Sequence, residues 1–194
     1  MNGMTEFILM SVLFGIGLAM DAFSVSMANG LAAPGMKIRK SFLIAGTFGV
    51  FQFAMPMTGW FCVHTIAETF KSFQKFIPWI ALILLAYIGG KMLYEGVTNK
   101  ASDEAREEVS GSTLFIQGIA TSIDALSVGF TISSYTAPKA FAESCIIGVV
   151  TFFISLAGIK IGKVVGMKLS GKAEIFGGII LIAIGLEIFI SNML

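Results

Sequence analysis

The sequence is poor in charge. Asp, Glu, Lys and Arg together make up 13% of its 194 residues, whereas 56% are hydrophobic and the mean hydropathy is +0.87. So few polar side chains cannot coat a water-soluble globule of this length, which points to a membrane protein. A net charge of +1 holds no basic excess to neutralise phosphates, and this argues against a nucleic-acid partner. Cysteine is limited to Cys62 and Cys145, both in or at the end of apolar stretches. They lack the CxxC or Cys/His spacing of a soft-metal or redox site and read as packing residues. The one histidine, His64, falls at an expected helix end, where a solvated side chain is the simplest reading. No GxGxxG follows a strand and no P-loop Lys-Ser/Thr occurs, so no resident cofactor is expected. Nor does any Lys or Arg precede Lys37. The first apolar segment thus lacks the basic start of a cleaved signal peptide and is expected to stay as a span.

What the sequence has instead is long apolar runs. A membrane crossing needs about 20 such residues, and six candidates appear: Phe7–Asn29, Phe42–Val63, Ile77–Tyr94, Thr113–Ile132, Phe141–Ile159 and Ile175–Leu194. Basic residues favour the cytoplasmic side. Lys37, Arg39 and Lys40 follow the first span; Lys91, Lys100 and Arg106 follow or end the third; Lys160, Lys163, Lys168 and Lys172 lie at or between the fifth and sixth. The other side holds only Lys71, Lys75 and Lys139, so both termini are expected to face outward. The polar run of residues 99–112, with Asp103, Glu104, Arg106, Glu107 and Glu108, reads as a cytoplasmic linker between residues 1–98 and 113–194.

Two of the three aspartates sit inside apolar segments with matching neighbours: Met20-Asp21-Ala22-Phe23-Ser24-Val25 and Ile123-Asp124-Ala125-Leu126-Ser127-Val128. An offset of 103 residues aligns Gly15 with Gly118, Asp21 with Asp124, Ser24 with Ser127 and Gly59 with Gly162. Three spans per half is an odd number, so equivalent spans cross in opposite directions. That is the inverted-repeat plan of many secondary transporters, whose site lies near the midplane where the halves meet. The fold class expected is an all-α, six-span membrane protein built from two inverted three-helix repeats.

A carboxylate at the centre of a span costs about 2.5–3.5 kcal/mol on insertion scales and usually faces a cavity or an ion path. No Lys or Arg lies in the central third of any expected span; Lys91 and Lys160 are near ends, where they can snorkel to the interface. Compensation must come from a shared proton, water or a bound cation, the minimum machinery for exchanging a cation against protons. Nearby donors are oxygens. Ser24 and Ser127 lie three residues after each aspartate on the same helical face, Thr121 lies three before Asp124, and Asn29 lies two turns beyond Asp21. Carboxylate, hydroxyl and amide oxygens suit Mg, Ca or Mn better than Zn or Cu. For the hydroxyls, a hydrogen bond back to their own helix is the structural alternative. Gln52, one turn before the helix-interrupting Pro56, is placed either to satisfy the freed backbone or to join the pathway. Glu95 and Glu174 stand near the cytoplasmic face, and Glu187 is the deepest further acid. Glycines at close-packing spacing, such as Gly158, Gly162 and Gly166, read as helix contacts.

Five stretches, GLAMDAFSVS (17–26), MPMTGW (55–60), GGKMLYEG (89–96), ATSIDALSVG (120–129) and GKAEIFGG (171–178), together resemble the MntP-type manganese efflux pumps across all six spans. The resemblance implies a small bacterial inner-membrane exporter that lowers cytoplasmic Mn(II), with Asp21 and Asp124 at the family's acidic motif positions. Without it, the residues reach only a hard divalent cation. Two other readings stay open: an exporter of small organic cations such as basic amino acids, and an intramembrane aspartyl protease. The protease is disfavoured because Ser122 and Ile123 precede Asp124 where its motif requires glycine.

Overall fold

The computed structural model describes residues 3–65, 109–169 and 173–193, and between them residues 79, 82, 83, 86, 87, 89, 90, 93, 94 and 97. Most of the third expected span, the linker up to residue 108, and Glu95 lie outside the described residues, as do the side chains of His64, Glu174 and Glu187. All regular structure among the described residues is helical: α1 (Gly3–Ala32), α2 (Ile38–Thr65), α3 (Gly111–Thr121), α4 (Ile123–Thr131), a 3-10 turn (Ile132–Ser134), α5 (Ala137–Leu169) and α6 (Ala173–Met193). Four stretches are long and apolar enough to cross a bilayer: Met4–Ala32, Ile38–Val63, Gly111–Ser134 and Ala137–Met167. The protein is a multi-pass membrane protein. Its outward faces carry Leu9, Leu13, Met20, Leu43, Val50, Phe61 and Phe153, all exposed, as lipid-facing side chains must be.

The helices overrun their apolar windows. α1 is 30 residues and α5 is 33, about 45 and 50 Å at the helical rise, against a hydrocarbon core of about 30 Å. A helix satisfies its own backbone and need not stop where hydrocarbon does. α2 likewise continues through Pro56. The fourth expected span departs further, since it is not one helix. Ser122, with φ −115° and ψ 11°, separates α3 from α4. The Ser122 side chain donates to the Gly118 carbonyl at 2.6 Å, and its N–H bonds to the Ile119 carbonyl, tightening the last turn of α3.

Ring contacts, hydrogen bonds and close backbone approaches fix the directions. α1 runs parallel to α5, with Gly15 against Val150, Phe23 against Gly158, Met27 against Gly162 and Leu31 against Gly166. α2 runs parallel to α3 and α4, with Phe51 against Gly118, Gly59 against Leu126 and the Trp60 indole N–H donating to the Tyr135 carbonyl at 3.0 Å. α2 and α5 are antiparallel, joined by Phe53 and Phe141 at 5.4 Å and by Phe42 and Phe152 at 5.9 Å. The far end of α5 is held by Lys163, whose ammonium donates to the Met36 carbonyl in the turn between α1 and α2. Ala22, Val25, Ala28, Ile44, Phe48, Leu114, Ile123, Ile159 and Leu181 form the main buried cluster.

The glycine contacts are reciprocal. A Cβ on Gly49 would lie 2.9 Å from the Gly148 oxygen and 3.3 Å from the Phe152 Cβ; one on Gly148 would lie 2.8 Å from the Gly49 oxygen and 3.0 Å from the Phe53 Cβ. Likewise Gly59 meets the Leu126 carbonyl and Gly129, while Gly158 meets the Phe23 carbonyl and Ser26. Gly89 meets Gly178 and Ile182, while Gly178 meets Gly89 and Leu93. Lipid supplies no hydrophobic drive between helices, so this close packing must hold them.

Ala at Gly59 or Gly162 would drive a methyl into a backbone carbonyl, whereas Gly17 and Gly46 have open space. G59A and G162A are expected to destabilise the detergent-solubilised protein by about 1–3 kcal/mol. G17A and G46A should hold level or gain up to about 1 kcal/mol from helix propensity. Thermal unfolding of the four variants checks this; equal behaviour would defeat the packing account.

Candidate cation site

Asp21 lies mid-way along α1, and Asp124 lies in the first turn of α4, just past the break at Ser122. Both are half-buried. The two are within electrostatic reach: Asp21 is the charged group whose field is felt at Asp124. Asp124 Oδ1 also accepts the Ala125 N–H at 2.8 Å, as an anion at a helix N-terminus can. The break therefore has a local consequence. It presents free N–H groups to one acid, while the other sits on a continuous helix.

Breaking a helix orphans carbonyls at the end of its first half, and in an apolar bundle these need partners. Gln52 of α2 supplies one. Its Nε2 donates to the Thr121 carbonyl at 3.0 Å and to the Leu18 carbonyl at 2.9 Å. Leu18 and Thr121 stand at equivalent places, each three residues before its aspartate. One fully buried amide thus ties together the backbones that carry both acids. The sequence leaves Gln52 between relieving its own helix at Pro56 and lying on the pathway; its amide N–H groups in fact bridge α1 and α3.

The other expected ligands separate. Thr121 is buried, and its hydroxyl bonds back to the Gln117 carbonyl at 2.9 Å. Asn29 closes a two-way amide pair with Gln117, donating at 2.9 Å and accepting at 3.1 Å. Ser24 is half-buried and Ser127 is exposed on α4. Among the described residues no three His, Cys, Asp or Glu side chains come together. Of the expected donor set, the two carboxylates are the oxygens left for a hard cation, while the Thr121 hydroxyl and the Asn29 amide are engaged elsewhere.

Sequence reasoning misses Gln117 and Glu143. Gln117 lies seven residues before Asp124, two helical turns, a spacing that could have placed it on the same face. Glu143 sits at the expected edge of the fifth span, but α5 starts at Ala137 and buries it to 2% exposure.

The family description "putative manganese efflux pump" matches residues 35–189. This chain belongs to the MntP family. It is 39% identical over 188 residues to a protein of Sorangium cellulosum bearing that description, covering 94% of this chain and 95% of the relative. A Clostridium perfringens SM101 protein of the same description is 37% identical over 206 residues, covering 95% of each. One from Methanosarcina mazei is 38% identical over 185 residues, covering 95% of this chain and 97% of its own. No solved structure matches the chain.

Q52L would leave the Thr121 carbonyl at the break without its donor and sever the tie to the Leu18 carbonyl of α1, at a cost of about 1–3 kcal/mol for the orphaned group. Thermal unfolding in detergent should register a loss in that range. A wild-type unfolding temperature in Q52L would show that the bridge does not hold α1 to α3.

Proposed function

We propose that the protein is a secondary transporter of the bacterial plasma membrane that exports Mn(II) in exchange for protons, and that it is not an enzyme. The observation that carries this reading is that one buried amide, Gln52, bonds the carbonyls three residues before Asp21 and before Asp124, in spans whose central thirds hold no Lys or Arg. Two acids in low dielectric repel, and a divalent cation neutralises both. With the cation gone, protons take its place, and that alternation couples export to proton entry. Manganese rests on the description its relatives carry. The family and the donor set agree on a hard cation.

The architecture we infer has six spans in two inverted halves, residues 1–98 and 113–194 joined by the acidic linker 99–112, with both termini outside. The reciprocal contacts of Gly49 with Gly148 and of Gly89 with Gly178 support it, as does the opposite sense of α1 and α3–α4. In this reading the site lies at the pseudo-axis near the midplane. Asp21 and Asp124 hold the cation, with Ser24, Ser127, Thr121 and Asn29 supplying or orienting oxygens around it. Gln52 braces the helices, while Glu95, Glu174 and Glu187 are stations along the route.

Cells loaded with Mn(II) and expressing the wild type should show lower intracellular manganese by mass spectrometry than cells carrying an empty vector. D21N and D124N should abolish the difference at equal membrane abundance; export retained in either would remove the two-acid site. In everted vesicles with an acidified lumen, adding Mn(II) should raise lumenal pH in a protonophore-sensitive way. Lysine in place of Mn(II) should give no signal, and a lysine response would favour an organic-cation exporter.

A further inference from the structure

Four buried polar side chains on α5 play no part in the site described above: Glu143, Ser144, Thr151 and Ser155. Each is at most 2% exposed, and Glu143 Oε2 and the three hydroxyl oxygens find no protein hydrogen-bond partner. Several other helical hydroxyls, though not the buried Ser26 hydroxyl of α1, bond back to the carbonyl four residues earlier. Ser11, Thr47, Thr58 and Thr121 all do so at 2.8–2.9 Å. Ser144, Thr151 and Ser155 forgo that bond. Leaving a polar group buried and unmatched costs about 1–3 kcal/mol, so several on one helix call for a partner other than protein.

Their spacing makes them a stripe. Positions 143, 147, 151 and 155 recur every four residues and share one face of α5, with Ser144 beside the first. Ile147 within that stripe packs on Leu18 and Ala125, the neighbours of the two aspartates. Because Gly15 lies against Val150 and Phe23 against Gly158, Asp21 stands level with the Thr151–Ser155 stretch of this face, and Glu143 lies about two to three turns nearer the start of α5. Lys139, a turn nearer the helix end, has its ammonium 3.8 Å from the centre of the Tyr135 ring. On the proposed orientation, Glu143 is on the outer side.

Resting on the exporter reading, we infer that this face of α5 walls a hydrated path past the aspartate pair, and that Glu143 is an exit station whose carboxylate receives the divalent cation leaving Asp21 and Asp124. Thr151 and Ser155 line the path beside Asp21, where hydroxyl oxygens replace part of the cation's water shell.

The test combines labelling with transport in the full-length protein. In a background with Cys62 and Cys145 replaced by alanine, T151C and S155C are treated with a membrane-impermeant cationic methanethiosulfonate, which reacts with hydrated thiolates. F153C, whose side chain faces lipid at 62% exposure, is the control. Labelling at 151 and 155 is expected to exceed that at 153 by about tenfold and to slow in Mn(II). E143Q is expected to lower the initial export rate by about tenfold at normal membrane abundance, as removal of a metal-handling carboxylate does, with E143D recovering part of it. Labelling at 151 and 155 no faster than at 153 overturns the path, and wild-type export by E143Q overturns the exit station. Should E143Q fail to accumulate, E143D and the labelling pair decide. A wild type that exports no Mn(II) overturns the exporter reading instead, and the labelling comparison then decides the path alone.

Discussion

One amide nitrogen fixes where the two acids stand. The break at Ser122 leaves the Thr121 carbonyl without the helical donor it would otherwise have, inside a bundle where no bulk water can replace it. Gln52 fills that need and, with the same nitrogen, reaches Leu18 on α1. Because each accepting carbonyl lies three residues before an aspartate, the bond sets the separation and relative height of Asp21 and Asp124 from a third helix. The carboxylates themselves repel and could not hold such a geometry. A neutral donor is suited to the task, since it adds no charge to compete with a cation.

Close glycine packing supplies the frame that the amide completes. Where Gly49 and Gly148 meet, each backbone lies against the other's carbonyl, and the same reciprocity recurs at Gly89 and Gly178. These are places where any side chain would push the helices apart, so contact is enforced by absence. α1 and the α3–α4 pair then differ in one respect that matters. They present the same Asp-Ala motif, yet one is continuous and the other is broken before its acid. The broken helix sets Asp124 beside the Ala125 N–H at a helix start, whereas Asp21 lies within a continuous helix.

The parts legible in sequence are those written as composition or spacing. The apolar runs, the two embedded aspartates and the glycine spacing all follow from counting. The break at Ser122 does not, because no glycine or proline marks it, and the Gln52 amide that serves the carbonyl at the break comes from a helix 69 positions away. The Asn29–Gln117 pair joins residues 88 positions apart, and no local pattern encodes it. Glu143 is missed because it falls at the edge of the expected fifth span, where a charge reads as interfacial, whereas the helix begins at Ala137 and neighbouring helices bury it.

Charge balance links these features to the proposed exchange. Two carboxylates with one divalent cation are neutral, and so are two carboxylates with two protons; the bare pair is doubly negative and is the form the bilayer interior disfavours most. A carrier built this way reorients readily when either guest is aboard and poorly when empty, which is what tight coupling requires. Adding a lysine or arginine near the pair would remove the constraint, since the empty site would then be partly neutralised and free to return without a proton. The lack of basic residues mid-span is thus as necessary to the mechanism as the acids are.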